Sequence, residues 1–490
     1  MNRRMVGYLL GTILLIEAAL LIVPMLTALI YGESILPFVF TILLLLVFAL
    51  PAKLLRPKDK RIYAKEGFVC VGGAWLLMSA FGALPFIFSG AIPNYIDALF
   101  ETVSGFTTTG STILTEIETL PKGILFWRSF THWIGGMGVL VFMMAILPSV
   151  GGQAIHLLRA ETTGPTKGKL VPKLRNTAMI LYALYFFLTV LQAILLLIAK
   201  MPLYDAITSA LATAGTGGFS VRNDSFASYN AASQWITAVF MLLFGVNFNI
   251  YFLLLMRRLK DIFRNAELKV YLLIAGISTA LIAANTFRLF ANAEECLRTA
   301  FFQVTTIMST SGFATANYDL WPDLSKTILV TLMIIGGCAG STAGGLKVSR
   351  VMLVIKNMAR EVKRIVRPRS VNVVKQDGEA VSLDTLHHVS NYITIYVFII
   401  IVTTLLLSFD GFGLETNLTA TLACVNNIGP GLSMVGPVGN FAAYSYFSKL
   451  LLTLDMLIGR LEILPMLIFF SPAVWNLRTL RKRKEENVDV

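Results

Sequence analysis

The chain has 490 residues, of which 56% are hydrophobic and 14% are charged, and its formal net charge is +13. A soluble domain carries about 25% charged residues, so this composition excludes an ordinary soluble protein. The apolar residues form about ten runs, each near the roughly 20 residues that cross a hydrocarbon core. The runs begin near Tyr8, Ile35, Phe68, Ile124, Asn176, Trp235, Leu268, Thr327, Asn391 and Leu450. The sequence therefore predicts a multi-pass, all-α membrane protein.

The positive charge is unevenly distributed along the chain. With the N-terminus placed in the cytoplasm, 32 of the 41 Lys and Arg residues fall in segments on the cytoplasmic side. These segments are the N-terminal stub, 53–65, 159–175, 257–269, 347–375 and 478–484. The positive-inside rule explains this bias, which indicates orientation and not nucleic-acid binding. Both termini are predicted to be cytoplasmic, and a basic face there also suits acidic lipid or an acidic soluble partner.

Shorter, half-polar segments recur between the long runs and end alike. Asp97 precedes Gly110 by 13 residues, and Asp205 precedes Gly218 by 13 residues. Similar segments end at Gly312 and Gly429. Each unit reads as long helix, short helix, glycine loop and long helix, and such self-similarity indicates a repeat architecture. The predicted organisation is a two-helix leading segment, 1–60, and four pore repeats, 61–158, 159–264, 265–370 and 371–490, the last with a basic tail.

Each short segment is too short to span a membrane and is predicted to be a re-entrant helix. Non-helical backbone at membrane depth survives only where it lines water or protein, so the four loops are expected to meet at one axis. A ring of carbonyl oxygens there can replace the water shell of a cation, and helix C-terminal ends aimed at the cavity favour a monovalent cation. Ordinary helix caps or tight packing sites are the alternative reading of these glycines. The predicted filter residues are Thr108, Thr109, Gly110, Thr216, Gly217, Gly218, Thr310, Ser311, Gly312, Asn427, Ile428 and Gly429.

The second long run of the third unit contains five glycines within ten residues. These are Gly336, Gly337, Gly340, Gly344 and Gly345. Each costs a helix interior about 1 kcal/mol relative to alanine, so we expect an unwound loop at mid-membrane, just inside the filter. Close helix packing through Gly340 and Gly344 is the alternative.

Arg460 lies near the middle of the last run, where an arginine costs about 2.5 kcal/mol or more. It must therefore face water or a partner. Either its charge lies beside the pore below the filter and contacts the glycine loop, or it forms a structural ion pair with Glu462 or an acid on another helix.

Other polar residues in apolar segments are read as structural. His132 is expected to be a satisfied core histidine. Asp97 and Asp205 begin pore helices, where an acid suits the positive end of the helix dipole, with a minor role in attracting cations. Lys449, at the outer edge of the last run, is expected to snorkel to the interface.

Three sets of residues together carry a resemblance to a known family. They are the four filter loops, the stretch from Gly336 to Lys347, and the stretch from Gly459 to Glu462. They resemble the Trk/Ktr/HKT superfamily of potassium transporters, and the two leading helices favour its TrkH type over the shorter KtrB type. The resemblance implies two leading helices and four M1-P-M2 units around a pseudo-four-fold pore. It also implies a homodimer with one pore per subunit and a cytosolic, nucleotide-binding regulator of the TrkA type.

The resemblance also implies the ion and the gate. In plant relatives, serine at the first filter glycine goes with sodium transport, whereas this chain has glycine at all four positions. K⁺ is therefore expected at Thr108, Thr109, Thr216, Gly217, Thr310, Ser311, Asn427 and Ile428. The implied gate comprises Gly336, Gly337, Gly340, Ser341, Thr342, Gly344, Gly345, Lys347 and Arg460. The implied activity is potassium uptake across a bacterial inner membrane, and symport with H⁺ or Na⁺ is the alternative within the same family.

Two other classes of protein fit the sequence less well. A secondary transporter with alternating access is built on inverted repeats. The repeats here each contain an even number of spans and one re-entrant loop, so they share one orientation. An enzyme is not supported, because no cluster of His, Asp and Glu with ligand spacing and no nucleophile motif is present. No cofactor is predicted.

Overall fold

The computed structural model describes residues 2–54, 64–150, 174–369, 372–461 and 463–472. Most of the basic segments 53–65 and 159–175, together with Glu462 and the segment 478–484, lie outside the described residues. The described chain is helical apart from its loops and one short β-hairpin, which confirms the all-α prediction.

The leading segment and the first unit contain the first seven helices. They are α1 (Arg3–Leu20), α2 (Ile22–Ile30), α3 (Leu36–Leu54), α4 (Ala64–Gly82), α5 (Leu84–Phe88), α6 (Tyr95–Phe106) and α7 (Lys122–Val150). Helices α1 and α3 pack so closely that a Cβ added to Gly11 would lie 2.7 Å from the Cβ of Ala52. Small residues at such a crossing let two helices approach within a membrane.

The second and third units follow in the chain. The second contains α8 (Leu174–Ile198), α9 (Leu203–Gly215), α10 (Ala231–Phe244), α11 (Phe248–Leu255) and α12 (Leu259–Arg264). The third contains α13 (Ala266–Thr286), α14 (Ala293–Met308), α15 (Asp323–Ile334) and α16 (Val348–Val366).

The last unit begins after a two-stranded antiparallel hairpin. Strands β1 (Lys375–Gln376) and β2 (Glu379–Ala380) precede α17 (Leu383–Leu407), α18 (Leu414–Val425), α19 (Tyr446–Arg460) and α20 (Ile463–Phe470). Short 3₁₀ turns cover Phe287–Leu289, Tyr318–Leu320, Ser408–Asp410 and Ser433–Val435.

Among the described residues, fewer than ten unbroken helices have the length and hydropathy of a membrane span. Six are long and apolar enough, covering residues 3–30, 36–54, 66–88, 179–198, 266–289 and 383–410, and α10 with α11 gives a seventh if the bent pair counts as one span. Helices α10 and α11 meet at 90°, α15 ends at Ile334 before the glycine stretch, and α19 ends at Arg460. Three of the ten predicted runs are therefore interrupted in the structure, and the run near Ile124 lies in α7, a helix of 29 residues.

Four short helices, α6, α9, α14 and α18, are the predicted pore helices. They contain 12, 13, 16 and 12 residues, fewer than a spanning helix needs. Each carries an acid in its first turn, where a negative charge interacts favourably with the helix dipole. These acids are Asp97, Asp205, Glu294, Glu295 and Glu415.

An ion pair joins the last unit to the first. Lys449 on α19 donates to Asp97 Oδ1 on α6 at 2.7 Å, and the whole lysine is 4% exposed. The expectation that Lys449 snorkels to the interface is therefore wrong. Asp97 has a second structural role besides its place in the first turn of a pore helix, since it compensates a buried ammonium group.

We expect Asp97→Asn to lower the stability of the folded protein by about 3 kcal/mol, because the ammonium group of Lys449 loses this charged partner while still buried. Thermal unfolding of the purified protein in detergent micelles measures the change. Asp323→Asn is the matched control, since Asp323 is 96% exposed in its pair with Lys326 and such surface changes stay within about 0.5 kcal/mol. Equal losses in both variants would contradict the assigned role of the Asp97 pair.

Candidate ion-conduction site

The four pore helices end in the same backbone turn. One residue within two positions of each helix end is left-handed, with φ between 54° and 57°, although it is not glycine. These residues are Thr108, Thr216, Thr310 and Asn427. Two residues later, the glycines have φ of 87°, 73°, 82° and 102°, at Gly110, Gly218, Gly312 and Gly429 respectively. A left-handed residue with a Cβ costs about 1–2 kcal/mol, so the surrounding structure must impose this turn four times.

One hydrogen bond closes each turn in the same way. In every loop, the N–H of the residue before the filter glycine donates to a carbonyl oxygen five residues earlier, as in a Schellman motif. The pairs are Thr109 with Ser104 (2.8 Å), Gly217 with Ala212 (3.0 Å), Ser311 with Thr306 (2.8 Å) and Ile428 with Ala423 (2.8 Å). The fourth loop, whose sequence departs most from the others, therefore has the same backbone.

The structure brings the four loops together in a closed ring. A Cβ added to any filter glycine would lie under 3.0 Å from a carbonyl oxygen of the next loop. The contacts run from Gly110 to Gly217, from Gly218 to Ser311, from Gly312 to Ile428 and from Gly429 back to Thr109. Glycine is required at all four positions because no side chain fits between adjacent loops. The alternative of four unrelated helix caps does not explain this cyclic order.

The ring is built from backbone and neutral side chains. The non-glycine filter residues are all buried, and none is acidic. Within the described ranges, no group of three or more His, Cys, Asp or Glu residues could hold a metal ion. A cation in this ring would therefore meet peptide and hydroxyl oxygens, the ligands of a selective filter for alkali ions.

The side chain of Asn427 links the fourth loop to its neighbours. Its Nδ2 donates to Thr109 Oγ1 and to the carbonyl oxygen of Met456, both at 2.9 Å. Asparagine tolerates the left-handed conformation better than most residues. Asn427 therefore adopts the left-handed turn and also joins the fourth loop to the first by a hydrogen bond.

A buried ion pair that the sequence analysis missed lies behind the first two loops. Arg128 Nε on α7 donates to Glu101 Oε1 on α6 at 2.6 Å, and the two side chains are 2% and 0% exposed. Glu101 also accepts from Thr112 Oγ1 and from the N–H of Ile113 just after the first filter. Arg128 Nη1 donates to the carbonyl oxygen of Ser220, just after the second filter, at 2.8 Å. The pair thus braces the outer ends of both loops.

The glycine stretch of the third unit is unwound. Helix α15 ends at Ile334 and α16 begins at Val348, so residues 335–347 form a loop, which we call the intramembrane loop. Its base is closed by hydrogen bonds from Gly336 N–H to Leu346 (2.9 Å) and from Val348 N–H to Gly337 (3.2 Å). The alternative of one continuous helix packed through small residues is therefore wrong.

The intramembrane loop contacts the inner ends of the second and third filter loops. Thr216 Oγ1 donates to the carbonyl oxygen of Thr342 at 3.0 Å, and the N–H of Gly344 donates to Thr310 Oγ1 at 2.7 Å. Lys347 Nζ donates back to the carbonyl oxygen of Ala343 within the loop. The loop thus lies directly against the residues that begin the filter.

Glu267, at the start of α13, holds the other side of the intramembrane loop. Its Oε1 accepts from the N–H of Ala339 (2.7 Å) and from the N–H of Ser349 in the first turn of α16 (3.1 Å). One buried oxygen therefore ties the middle of the loop to the beginning of the following helix. Sequence reasoning missed this residue, because nothing near Glu267 in the chain points to a loop 72 residues away.

Arg460 reaches the intramembrane loop from α19. Its Nη1 donates to the carbonyl oxygen of Thr342 at 2.7 Å, and its Nη2 donates to that of Gly135 on α7 at 2.9 Å. Its hydrogen-bond partners in the described part of the chain are these carbonyl oxygens, and Glu462 lies outside the described residues. The first of the two readings, contact with the glycine loop, matches this geometry.

The other predicted structural residues also have partners. Asp205 accepts from Tyr229 Oη at 2.7 Å and pairs with Arg222 at 3.4 Å. His132 is buried, with its two ring nitrogens bonded to Gly105 and Phe219, as expected of a satisfied core histidine.

Comparison with known proteins gives consistent matches over nearly the whole chain. The TrkH family, described as cation transport protein, matches residues 37–477. The Trk system potassium uptake protein TrkH of Salmonella typhimurium is 36% identical, with 97% of this chain and 100% of the relative covered. TrkG of Escherichia coli, also a Trk system potassium uptake protein, is 31% identical, with 96% and 98% covered. The crystal structure of the potassium transporter TrkH from Vibrio parahaemolyticus superposes with a TM-score of 0.88 at 31% identity, covering 97% of this chain and 100% of that one.

We expect Glu101→Gln and Arg128→Gln each to lower the free energy of unfolding by about 3–5 kcal/mol, because each leaves one buried charge without its partner. The double variant should lose less than the sum of the two single losses, since the partners interact directly. Thermal unfolding in micelles gives all three values, with the exposed Asp261→Asn as the control. Strict additivity of the two single losses would show that the pair is not coupled.

Proposed function

This chain belongs to the TrkH family of cation transport proteins, and we propose that it takes up K⁺ across the inner membrane of a bacterium through a filter of backbone carbonyl oxygens. It is a multi-pass membrane protein and not an enzyme. The observation that carries the proposal is the closed ring in which each filter glycine contacts a carbonyl oxygen of the next loop. Four equivalent backbone turns around one centre can present the carbonyl oxygens that replace a cation's water shell.

In this proposal K⁺ is held by the carbonyl oxygens of the paired residues before each filter glycine. The pairs are Thr108 with Thr109, Thr216 with Gly217, Thr310 with Ser311, and Asn427 with Ile428. Each pore helix points its C-terminal end at the ring, and the partial negative charges of these ends favour a monovalent cation. The division into a leading segment, 1–60, and repeats 61–158, 159–264, 265–370 and 371–490 is part of the proposal.

We further propose that the intramembrane loop and Arg460 form the gate. The loop lies against Thr216 and Thr310, at the inner ends of two filter loops, and Arg460 fixes it through the carbonyl oxygen of Thr342. An arginine charge at this position opposes a cation that leaves the filter. Opening therefore requires the loop to move away and the bond from Arg460 to break.

The setting of this pore follows the family. The proposal includes cytoplasmic N- and C-termini, a homodimer with one pore in each subunit, and control by a cytosolic nucleotide-binding subunit of the TrkA type. The basic cytoplasmic segments support the orientation. Coupling of K⁺ to H⁺ or Na⁺ is the alternative within the same family, and the ion-flux experiment separates it from passive conduction.

We expect the purified protein in liposomes to carry K⁺ and Rb⁺ faster than Na⁺, in the absence of any gradient of H⁺ or Na⁺. Flux that requires such a gradient would favour the coupled transporter, and flux of none of these ions would remove the proposed function.

Gly312→Ala should abolish K⁺ flux, because its Cβ would lie under 3.0 Å from the carbonyl oxygen of Ile428. Gly276→Ala is the matched control, since nothing lies within 4 Å of a Cβ at that position of α13.

For the gate, we expect Arg460→Ala to raise the K⁺ flux of the protein without a regulatory subunit by about tenfold, the effect of losing a charge-assisted hydrogen bond. Glu267→Gln should act in the same direction but more weakly, because it removes the charge and leaves an acceptor for Ala339 and Ser349. Arg258→Ala, on an exposed arginine, is the control. Unchanged flux with lowered thermal stability in Arg460→Ala would assign this residue a purely structural role.

A further inference from the structure

The imidazole ring of His132 lies between the first and second pore units. It belongs to α7 and is fully buried. Its Nδ1 lies 2.8 Å from the carbonyl oxygen of Gly105 in the last turn of α6, and the N–H of Phe219 donates to its Nε2 at 3.2 Å. Because a backbone N–H can only donate, Nε2 is the unprotonated nitrogen, and Nδ1 carries the hydrogen that is donated to Gly105. The two partners thus select one neutral tautomer.

The bond from Phe219 fixes the peptide unit that contains a filter carbonyl. In a planar trans peptide, the N–H of Phe219 and the carbonyl of Gly218 point in opposite directions. An N–H directed at His132 therefore turns the carbonyl of Gly218 away from the imidazole. Gly218 is also the residue that contacts Ser311 of the third loop in the ring.

The surroundings leave the imidazole little freedom to reorient. Its centroid lies 4.1 Å from that of the Phe219 ring. A Cβ on Gly217 would lie under 3.0 Å from three atoms of the imidazole, so only glycine at this filter position leaves room for the ring. A Cβ on Gly215 would likewise collide with the backbone carbonyl of His132.

The peptide after the filter glycine is held differently in the fourth loop. Pro430 follows the fourth filter glycine and has no N–H to anchor. Ser111, after the first filter glycine, donates its hydroxyl to the carbonyl oxygen of Gly429 at 3.0 Å. In the second loop, the N–H after the filter glycine is held by a side chain of a neighbouring helix. The orientation of that peptide therefore depends on one acceptor nitrogen, Nε2 of His132.

We infer that His132 is a positioning residue of the filter: it holds the carbonyl oxygen of Gly218 toward the conduction axis, as one ligand beyond the carbonyl pairs proposed above, and so sets the preference for K⁺ over Na⁺. This inference rests on the proposed function. The preference depends on how many carbonyl dipoles face the ion and how firmly they are held, and a peptide released by the loss of Nε2 can rotate out of the ring.

The test compares His132→Gln with His132→Met, two substitutions of nearly equal size. Only the glutamine has a side-chain amide group. The glutamine can accept from Phe219 and donate to Gly105, whereas the methionine can do neither strongly. In liposomes, we expect the ratio of Rb⁺ to Na⁺ flux to fall about tenfold in His132→Met, the cost of one unsatisfied buried N–H, and to stay near that of the unaltered protein in His132→Gln. His388→Gln, at an exposed position of α17, is the control.

A second readout does not depend on flux. Ligand binding raises the thermal unfolding temperature of the folded state, so K⁺ should stabilise the unaltered protein more than Na⁺ does. That difference should vanish in His132→Met and persist in His132→Gln. If the methionine variant does not fold, His132→Leu takes its place in the comparison.

The possible results separate the inference from the proposed function. An unaltered Rb⁺ to Na⁺ ratio in a folded His132→Met or His132→Leu variant would overturn the inference, and so would an equal loss in His132→Gln. In either case the unaltered protein still conducts K⁺, and the proposed function stands. Absence of K⁺ flux and of K⁺-specific stabilisation in the unaltered protein would instead refute the proposed function, and with it the inference.

Discussion

The constraint on which this structure depends is that backbone polar groups inside a membrane must be satisfied by protein, water or an ion. The chain leaves the helical conformation at the four filter loops and again over residues 335–347. The intramembrane loop meets the constraint with partners from other units, such as Glu267 and Thr310. The filter loops pair the N–H groups of the two residues before each filter glycine with carbonyl oxygens of the preceding pore helix. In the proposed function, the carbonyl oxygens of the paired residues before each filter glycine are the groups that hold the cation.

Buried charges hold this irregular backbone in place. Glu101 with Arg128 braces the outer ends of two filter loops, Asp97 with Lys449 joins the first and last units, and Arg460 holds the intramembrane loop. A buried ion pair contributes little net stability, but removal of one partner is costly. The benefit of these charges here is geometric, because each contacts backbone or helices from two different units and so fixes their spacing.

Sequence reasoning located the four glycine loops and the intramembrane loop because both are local signals. Glycines recur at matching positions in four units, and five glycines within ten residues cannot continue a helix without large cost. It missed Glu267, the pairing of Glu101 with Arg128 and the partner of Lys449, since these contacts join residues that are distant in the chain. It did not predict the 90° bend between α10 and α11, because hydropathy does not register a change of helix direction.

The sequence alone determined the membrane setting, the four-unit repeat and the positions where the backbone must be free of side chains. These follow from hydropathy, from spacing and from the steric properties of glycine, all of which are properties of short segments. Only the tertiary structure decided the cyclic order of the loops, the contact of Arg460 with Thr342 and the tautomer of His132. Each of these depends on which atoms from separate helices meet in the buried interior. The residues involved are distant in the chain, so no local sequence pattern predicts which hydrogen-bond partner each group finds.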